Sequence, residues 1–381
     1  MSVREPYADF TLLADGKNAF PVIMREIGNA KSSLHINMFI WRDDEIGRLV
    51  AQAVLAAAER GVRVYLSIDR YGVVLEKAEE CKRSFFHKIQ SIAERFKIWG
   101  LSRIYPMSGT PRRARDEVTP LYEQIMHHPN ITVSADVFKA DHSKFYVIDD
   151  RILILGGINI EDKENGKDMQ GRVYSDLMVR IEGEEHVSAF YKKLREGEET
   201  DGPYSFGVNV KEQRGKKTLF EMEEYYLNLI RSAKRELCIV MAYFSPLPRF
   251  MRQIERACAR GVRVTVVIPK DANFQNDLNR KTVRRLLKRT NGRLALYLSP
   301  KMLHTKLVAS EGEVSFGSTN ITQKAFSQLS ELNLCMRREE SAFLNSVDAY
   351  VHDRIAESQR IRDYRKITYR RSIAFLEGFV V

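Results

Sequence analysis

Two short segments of this chain repeat one order of residue types. The first runs His142-Ser143-Lys144, then Asp149, then Gly156-Gly157-Ile158-Asn159. The second runs His304-Thr305-Lys306, then Glu311, then Gly317-Ser318-Thr319-Asn320. In an extended strand side chains alternate between faces, so a histidine and a lysine two positions apart point the same way and can share one ligand. A glycine-bounded turn then returns the chain and delivers an asparagine amide to the same place. This set suits a phosphodiester, whose non-bridging oxygens would be held by ammonium and amide groups as charge redistributes in the transition state. A neutral imidazole can attack phosphorus, while a second, protonated imidazole gives its proton to the departing alcohol. One histidine from each copy accounts for the duplication, and the chemistry calls for no metal and no cofactor. Asp176 and Glu331, each one element beyond its glycine-asparagine turn, are the candidates to orient the two imidazoles. Asp149 and Glu311 are counted with the catalytic set, although both also suit turns that pin a strand.

The elements around these motifs are duplicated as well. Asn29-Ala30-Lys31 leads into the apolar run Leu34 to Trp41, and Ser232-Ala233-Lys234 leads into Leu237 to Phe244. Arg60-Gly61-Val62-Arg63-Val64 recurs as Arg260-Gly261-Val262-Arg263-Val264, each time between an alanine-rich amphipathic stretch and a β-branched one. That pattern predicts a helix ended by glycine and followed by a strand. Each half thus reads as strand, helix, strand and a further strand pair such as Lys144 to Ile148 and Ile152 to Leu155. The expected fold is two similar α/β/α sandwich halves with mixed sheets, related by a pseudo-two-fold, with the active site at their interface. The halves are placed at 1–205 and 206–381, joined through the loop-like segment Gly197 to Lys217, and the first carries an inserted basic, aromatic segment over 80–128.

On these residues the chain resembles the phospholipase D superfamily, whose signature is a histidine, any residue, a lysine, four residues and an aspartate, with a glycine turn and asparagine beyond. The first copy matches throughout; the second has Glu311 in place of the aspartate. The likeness is greatest to bacterial cardiolipin synthases, carried by Leu12 to Gly16, His142 through Ile160, and Asp176 through Gly183. It implies transfer between two phosphatidylglycerol molecules with release of glycerol, with His142 forming a phosphohistidine and His304 acting first as acid and then as base. The reverse order of the histidines stays open, because the two copies are near-symmetric. Hydrolysis to phosphatidic acid stays open because the outcome depends on the exclusion of water, and so does a metal-independent nuclease.

Sixty-one basic against fifty acidic residues leave a formal charge of +11, which favours a polyanionic partner. The inserted segment concentrates it, with nine basic residues between Lys82 and Arg115 against the single acid Glu94. Phe85, Ile89, Ile92, Phe96 and Trp99 recur at spacings of four and three, which predicts one aromatic face along a helix ended by Gly100. With Arg112 and Arg113, the residues Phe85, Phe96 and Trp99 form the expected contact with an anionic membrane surface, the alternative being a helix packed on its own domain. A second expected contact is the basic run from Arg360 to Arg371 with the apolar end Ile373 to Val381. No apolar run is long enough to span a bilayer and no secretory leader opens the chain, so the expected location is cytoplasmic and peripheral to the membrane. Four scattered cysteines suggest neither a disulfide framework nor a zinc cage. Phospholipid is the expected partner, nucleic acid is disfavoured but open, and nothing points to an obligate protein partner.

Overall fold

The computed structural model describes residues 5–80, 83–87, 91–105, 118–135, 137–199, 202–211 and 218–380. In the first half the chain forms β1 (Phe10–Ala14), α1 (Gly16–Asn29), β2 (Ser33–Met38), α2 (Glu45–Glu59), β3 (Arg63–Ile68), α3 (Tyr71–Glu80), α4 (Ile92–Ile104), α5 (Pro120–His127) and β4 (Ile131–Ser134). The motif strands β5 (Phe145–Ile148) and β6 (Ile152–Gly156) follow, then β7 (Tyr174–Ser175), β8 (Leu177–Glu182) and α6 (Glu184–Glu196). The second half begins with β9 (Tyr204–Val210), β10 (Leu219–Phe220), α7 (Met222–Ser232), β11 (Glu236–Met241), β12 (Phe244–Ser245), α8 (Pro248–Ala259), β13 (Arg263–Pro269) and α9 (Asn276–Arg289). It continues with β14 (Ala295–Ser299), β15 (Met302–Leu303), β16 (Lys306–Ser310), β17 (Glu313–Gly317), β18 (Ile321–Thr322), α10 (Gln323–Ser327) and β19 (Glu331–Arg337). It closes with α11 (Ala342–Ala356), β20 (Gln359–Ile361) and α12 (Arg371–Val380).

The internal repeat becomes a repeat of topology. One sheet has the order β1-β8-β6-β5-β2-β3-β4 and the other β10-β9-β19-β17-β16-β11-β13-β14-β20, so all seven strands of the first correspond in order to β9-β19-β17-β16-β11-β13-β14 of the second. In both, the strand entering the helix that precedes the Arg-Gly-Val junction is parallel to the strand leaving it (β2 with β3, β11 with β13). The histidine-lysine strand then adds on the other side antiparallel (β5 on β2, β16 on β11). The parallel pairs need helical crossovers, and α2 and α8 supply them. Both crossovers end in a glycine with positive φ, Gly61 at +95° and Gly261 at +89°, as the two junctions predict.

The outer face of each sheet is closed by helices. Leu34, Ile36 and Leu66 pack on Val50, Val54 and Ile23 of α1 and α2, and Leu237, Ile239 and Val266 pack on Ile254, Val283 and Ile230 of α7, α8 and α9. The inner faces share one core, in which Phe145, Leu155 and Val179 of the first sheet join Leu307, Phe316 and Leu334 of the second. Because both faces are buried, every residue of β5 and β16 is buried, and their apolar residues, Phe145 to Ile148 and Leu307 to Ala309, follow one another without alternation.

The fold departs from two expectations. The segment Gly197 to Lys217 is not loop throughout, since β9 lies within it and pairs with β19, from Met336↔Tyr204 to Glu331↔Asn209. The aromatic spacing from Phe85 to Trp99 is not one helix. Ser91 caps α4 by accepting from Glu94 N while Glu94 reaches back to Ser91 N, so the helix starts at Ile92, and Gly100 lies within it. Phe85 stands ahead of that start in a bend that follows the Arg42–Ser84 bridge, its N–H bonded to Trp41 O at 2.9 Å, and is fully buried against Trp41 and Phe86. It is a core residue and cannot meet a bilayer. Ile89, Arg112 and Arg113 lie outside the described residues.

Candidate active site

His142 and His304 each stand just ahead of a motif strand, and each is held by the opposite half. His142 N donates to Ser330 O and His304 N donates to Ser175 O, both at 2.8 Å. Ser330 and Ser175 immediately precede Glu331 and Asp176, so each cross-half bond sets a carboxylate beside the imidazole it faces. His142 Nδ1 lies 3.1 Å from Glu331 Oε2 and 3.1 Å from Ser318 O. His304 Nδ1 lies 2.8 Å from Asp176 Oδ2 and 3.1 Å from Glu164 Oε1. Asp176 and Glu331, the residues expected to orient the imidazoles, therefore each lie beside the histidine of the other half.

The two imidazoles are not equivalent. A carbonyl oxygen can only accept, so Ser318 O holds the proton on His142 Nδ1 and leaves Nε2 with its lone pair. Burial, reinforced by Lys144, Lys306 and His304, keeps His142 well below the usual imidazole range. Burial likewise pushes its partner Glu331 up to about 8 against the pull of Lys144, so near neutral pH this pair carries little charge. At His304, burial and Lys306 also disfavour the cation, but Glu164 and Asp176 more than offset them and hold the imidazole above its usual range. The surroundings thus bias one histidine towards its neutral form and the other towards its cation.

Glu164 is a site residue that motif spacing did not reveal. It sits in a 3-10 turn, Asp162–Asn165, after the first glycine turn. It lies five residues beyond Asn159, and the position five beyond Asn320 is Ala325, so only one copy supplies a second carboxylate. That difference is visible in the sequence once the copies are aligned on their asparagines. A second difference concerns the turn itself. A Cβ at Gly157 would stand 2.2 Å from Asp176 Oδ2. At the corresponding Ser318 the side chain is accommodated and its hydroxyl donates to Glu331 Oε2. Glycine goes with the aspartate and serine with the glutamate.

Lys144 and Lys306 are fully buried, and each ammonium donates to the backbone carbonyl of the histidine two residues before it. Burial, with Lys306 nearby, lowers Lys144 to about 7. Asn320 Oδ1 accepts from Tyr243 N at 3.3 Å, which leaves the amide hydrogens as its donors. Asn159 donates to Glu161 Oε1 at 3.5 Å, and its buried Oδ1 has no hydrogen-bond partner among the described residues.

Asp149 and Glu311 do not join this group. Asp149 accepts from Lys31 N, Ser32 N and Ser33 N at 2.7–3.2 Å, fastening the loop before β2. Glu311 does the same for Lys234, Arg235 and Glu236 at 2.7–3.2 Å before β11. Each lies five residues past its lysine, so the strand rise carries it about 16 Å from the reacting end. Both are structural residues, and the expectation that they belong to the catalytic set is corrected accordingly.

His142, His304, Asn159 and Asn320 line one pocket of about 830 Å³, including its open mouth, whose other walls include Phe39, Ile40, Leu75, Tyr105, Phe274 and Leu329. The imidazole of His142 packs edge-on to Phe39, with ring centroids 4.7 Å apart. Among the described residues two trios could approach a cation, Glu164-Asp176-His304 and Asp9-Glu185-His186. The first is already compensated, since Lys306 Nζ lies 3.3 Å from Asp176 Oδ2 and a divalent ion would have to displace the proton of His304.

The family model for the cardiolipin synthase, PLD-like domain matches residues 23–196 and 226–351, so the chain belongs to this phospholipase D-like family. Cardiolipin synthase B of Escherichia coli K12 is 24% identical over 273 residues, 68% of this chain and 59% of that protein. The chain therefore spans about three-fifths of that relative's length. Cardiolipin synthase of Clostridium perfringens SM101 is 24% identical over 355 residues, 87% of this chain and 67% of that protein. In fold, the chain is similar to a crystal structure of phosphatidylserine synthase from Haemophilus influenzae Rd KW20, with a TM-score of 0.67 at 14% identity over 98% of this chain and 93% of that one. No helix among the described residues is long and apolar enough to cross a membrane.

Proposed function

We propose that the chain is a phospholipid phosphatidyltransferase that joins two phosphatidylglycerol molecules into cardiolipin and releases glycerol. The observation that carries this reading is the composition of the histidine pocket, with two unlike histidines at one end and apolar walls of Phe39, Leu75 and Phe274. Such a pocket suits a phosphodiester joined to a hydrocarbon body. The Escherichia coli and Clostridium perfringens relatives bear cardiolipin synthase names, in agreement with it.

In this reading His142 Nε2 attacks phosphorus and forms a phosphohistidine, while the cation of His304 protonates the departing glycerol oxygen. Lys144, Lys306 and the Asn320 amide hold the non-bridging oxygens. His304, now neutral, takes the proton of the incoming lipid glycerol hydroxyl, which attacks phosphorus and frees His142. The apolar walls favour that alcohol over water.

The test is to incubate purified protein with phosphatidylglycerol vesicles in chelator and identify products by mass spectrometry, beside His142→Ala and His304→Ala. Cardiolipin and glycerol, absent from both controls, are expected. Phosphatidic acid alone would replace the transferase by a hydrolase, and cleavage of single-stranded DNA without any lipid product would replace both by a nuclease. The histidine order is tested by trapping: a phosphoprotein formed by His304→Ala with an activated phosphodiester, and not by His142→Ala, supports His142 as the nucleophile.

A further inference from the structure

Two helices far apart in the chain meet beside the pocket, and both leave large apolar side chains in solvent. On α4 Phe96 is 71% and Trp99 54% exposed, with ring centroids 5.7 Å apart. On α12 Phe375 is 62% and Phe379 74% exposed, with centroids 4.9 Å apart. The helices touch each other, and α12 also packs on α9.

Charge sorts in the same direction. Arg95 and Lys97 on α4 are exposed, as are Lys366 and Arg371 at the entry to α12, where Arg365 and Arg370 are also exposed but paired with Asp363 and Asp277. The acid of each helix is turned inward. Glu94 is buried and paired with Arg70 at 2.8 Å, and Glu377 is buried and accepts from Leu278 N at 2.7 Å. Every exposed charge on the described side chains of α4 and α12 is therefore positive.

The pair is also fastened to the pocket. Tyr105, the residue that caps α4, lines the pocket, packs edge-on to Phe274 at 4.9 Å and accepts from Gln275 N at 3.2 Å. The Glu377 carboxyl of α12 lies close enough to Tyr105 to add to the effect of burial in raising its hydroxyl above the usual range. The two exposed faces thus keep a set position relative to the mouth of the site.

We propose that α4 and α12 together form one docking surface for an anionic bilayer, presenting the pocket mouth to the headgroup layer from which its substrate comes. The proposal rests on the phospholipid reading of the site and joins two separate expected contacts into one surface set against the pocket mouth. Aromatic side chains flanked by arginine and lysine, with no outward acid, suit the boundary between headgroups and acyl chains. A nucleic acid would use the basic residues, but Phe375 and Phe379 pack edge to face on each other rather than offering parallel platforms for successive bases.

The experiment is flotation with phosphatidylglycerol-containing vesicles and with pure phosphatidylcholine vesicles. It compares the wild type with Phe96→Ser/Trp99→Ser, Phe375→Ser/Phe379→Ser and all four together. All four positions are exposed, so the variants should fold, which a thermal melt checks. Each pair is expected to raise the lipid concentration for half-binding by roughly tenfold or more. The fourfold variant should not bind, and added salt should weaken wild-type binding to the anionic vesicles alone. Turnover of the soluble diester bis(p-nitrophenyl) phosphate should be unchanged in every variant. Undiminished flotation of the fourfold variant overturns the proposal, as does a wild-type dimer that these substitutions dissociate, which would make the face a contact between two copies of the chain. If vesicle binding follows the variants but phosphatidylglycerol is never turned over, the docking surface stands and the lipid-transfer reading falls.

Discussion

Glu164→Gln separates the two histidines most directly. In the native site His304 Nδ1 lies 3.1 Å from Glu164 Oε1 and 2.8 Å from Asp176 Oδ2, with Glu164 almost wholly shielded from solvent. Opposite unit charges about 4 Å apart interact by roughly 4 kcal/mol at an effective dielectric constant of about 20, and about 1.4 kcal/mol corresponds to one pKa unit. Asp176 remains in contact with the ring and the amide keeps the shape of the site, so only part of that energy is lost. The expected fall in the His304 pKa is about one to two units, the lower part of the range for one opposite charge. His304 must be protonated to release the leaving alcohol, and its folded-state pKa is raised, so the rate is full below that pKa and lost as pH rises through it. His142 must be neutral, and its pKa is depressed, so the acid limb falls below the usual imidazole range. Glu164→Gln should therefore move only the alkaline limb, by about one to two pH units downward. The assay is single-turnover phosphoenzyme formation from a soluble diester with an unactivated alcohol leaving group, which needs the acid, between about pH 5 and 9, with the tautomer and titration of both histidines followed by nitrogen NMR. An equal loss at every pH, or an unmoved alkaline limb, would refute the assignment of His304 as the acid and of Glu164 as the group that keeps it charged.

Asp149→Asn and Glu311→Gln should each lower stability by about 1–2 kcal/mol, read by denaturant unfolding, with kcat per folded molecule preserved; a loss of kcat at full stability would return these residues to the chemistry. Gly157→Ala should cut kcat by roughly tenfold or more, because the added methyl, 2.2 Å from Asp176 Oδ2, must displace the carboxylate that orients His304. Ser318→Ala, which loses a single hydrogen bond to Glu331, should be milder, and equal effects would mean that the two carboxylates are held alike. Activity should persist in excess chelator, and a requirement for added divalent cation would reassign Glu164, Asp176 and His304 as ligands.

The halves, their mixed sheets and the helix-to-strand junctions were legible in the sequence because they depend on local signals: glycine after an amphipathic stretch, β-branched runs, and a histidine and lysine at the spacing of one strand face. Repetition supplied what a single copy lacks, since two segments with one order of residue types imply two equivalent places in a fold. Other features depended on contacts between distant parts of the chain and were not accessible in this way. Phe85 shares the spacing of Phe96 and Trp99 but is separated from them by the Ser91 cap, and a helical period carries no information on whether the helix exists upstream. Asp149 and Glu311 fall inside the motif by sequence yet leave the site by the length of a strand.

Residue type, order and duplication by themselves determined which groups could carry phosphodiester chemistry and that two copies must cooperate. Only the tertiary structure decided that each carboxylate serves the histidine of the other half, that Glu164 makes those histidines unlike, and that α4 and α12 meet beside the pocket. The reason is that side-chain periodicity is fixed within a few residues by backbone geometry, whereas the pairing of His142 with Glu331 and of His304 with Asp176 is set by how two sheets pack face to face. That packing is decided by the sum of many buried apolar contacts rather than by any one motif.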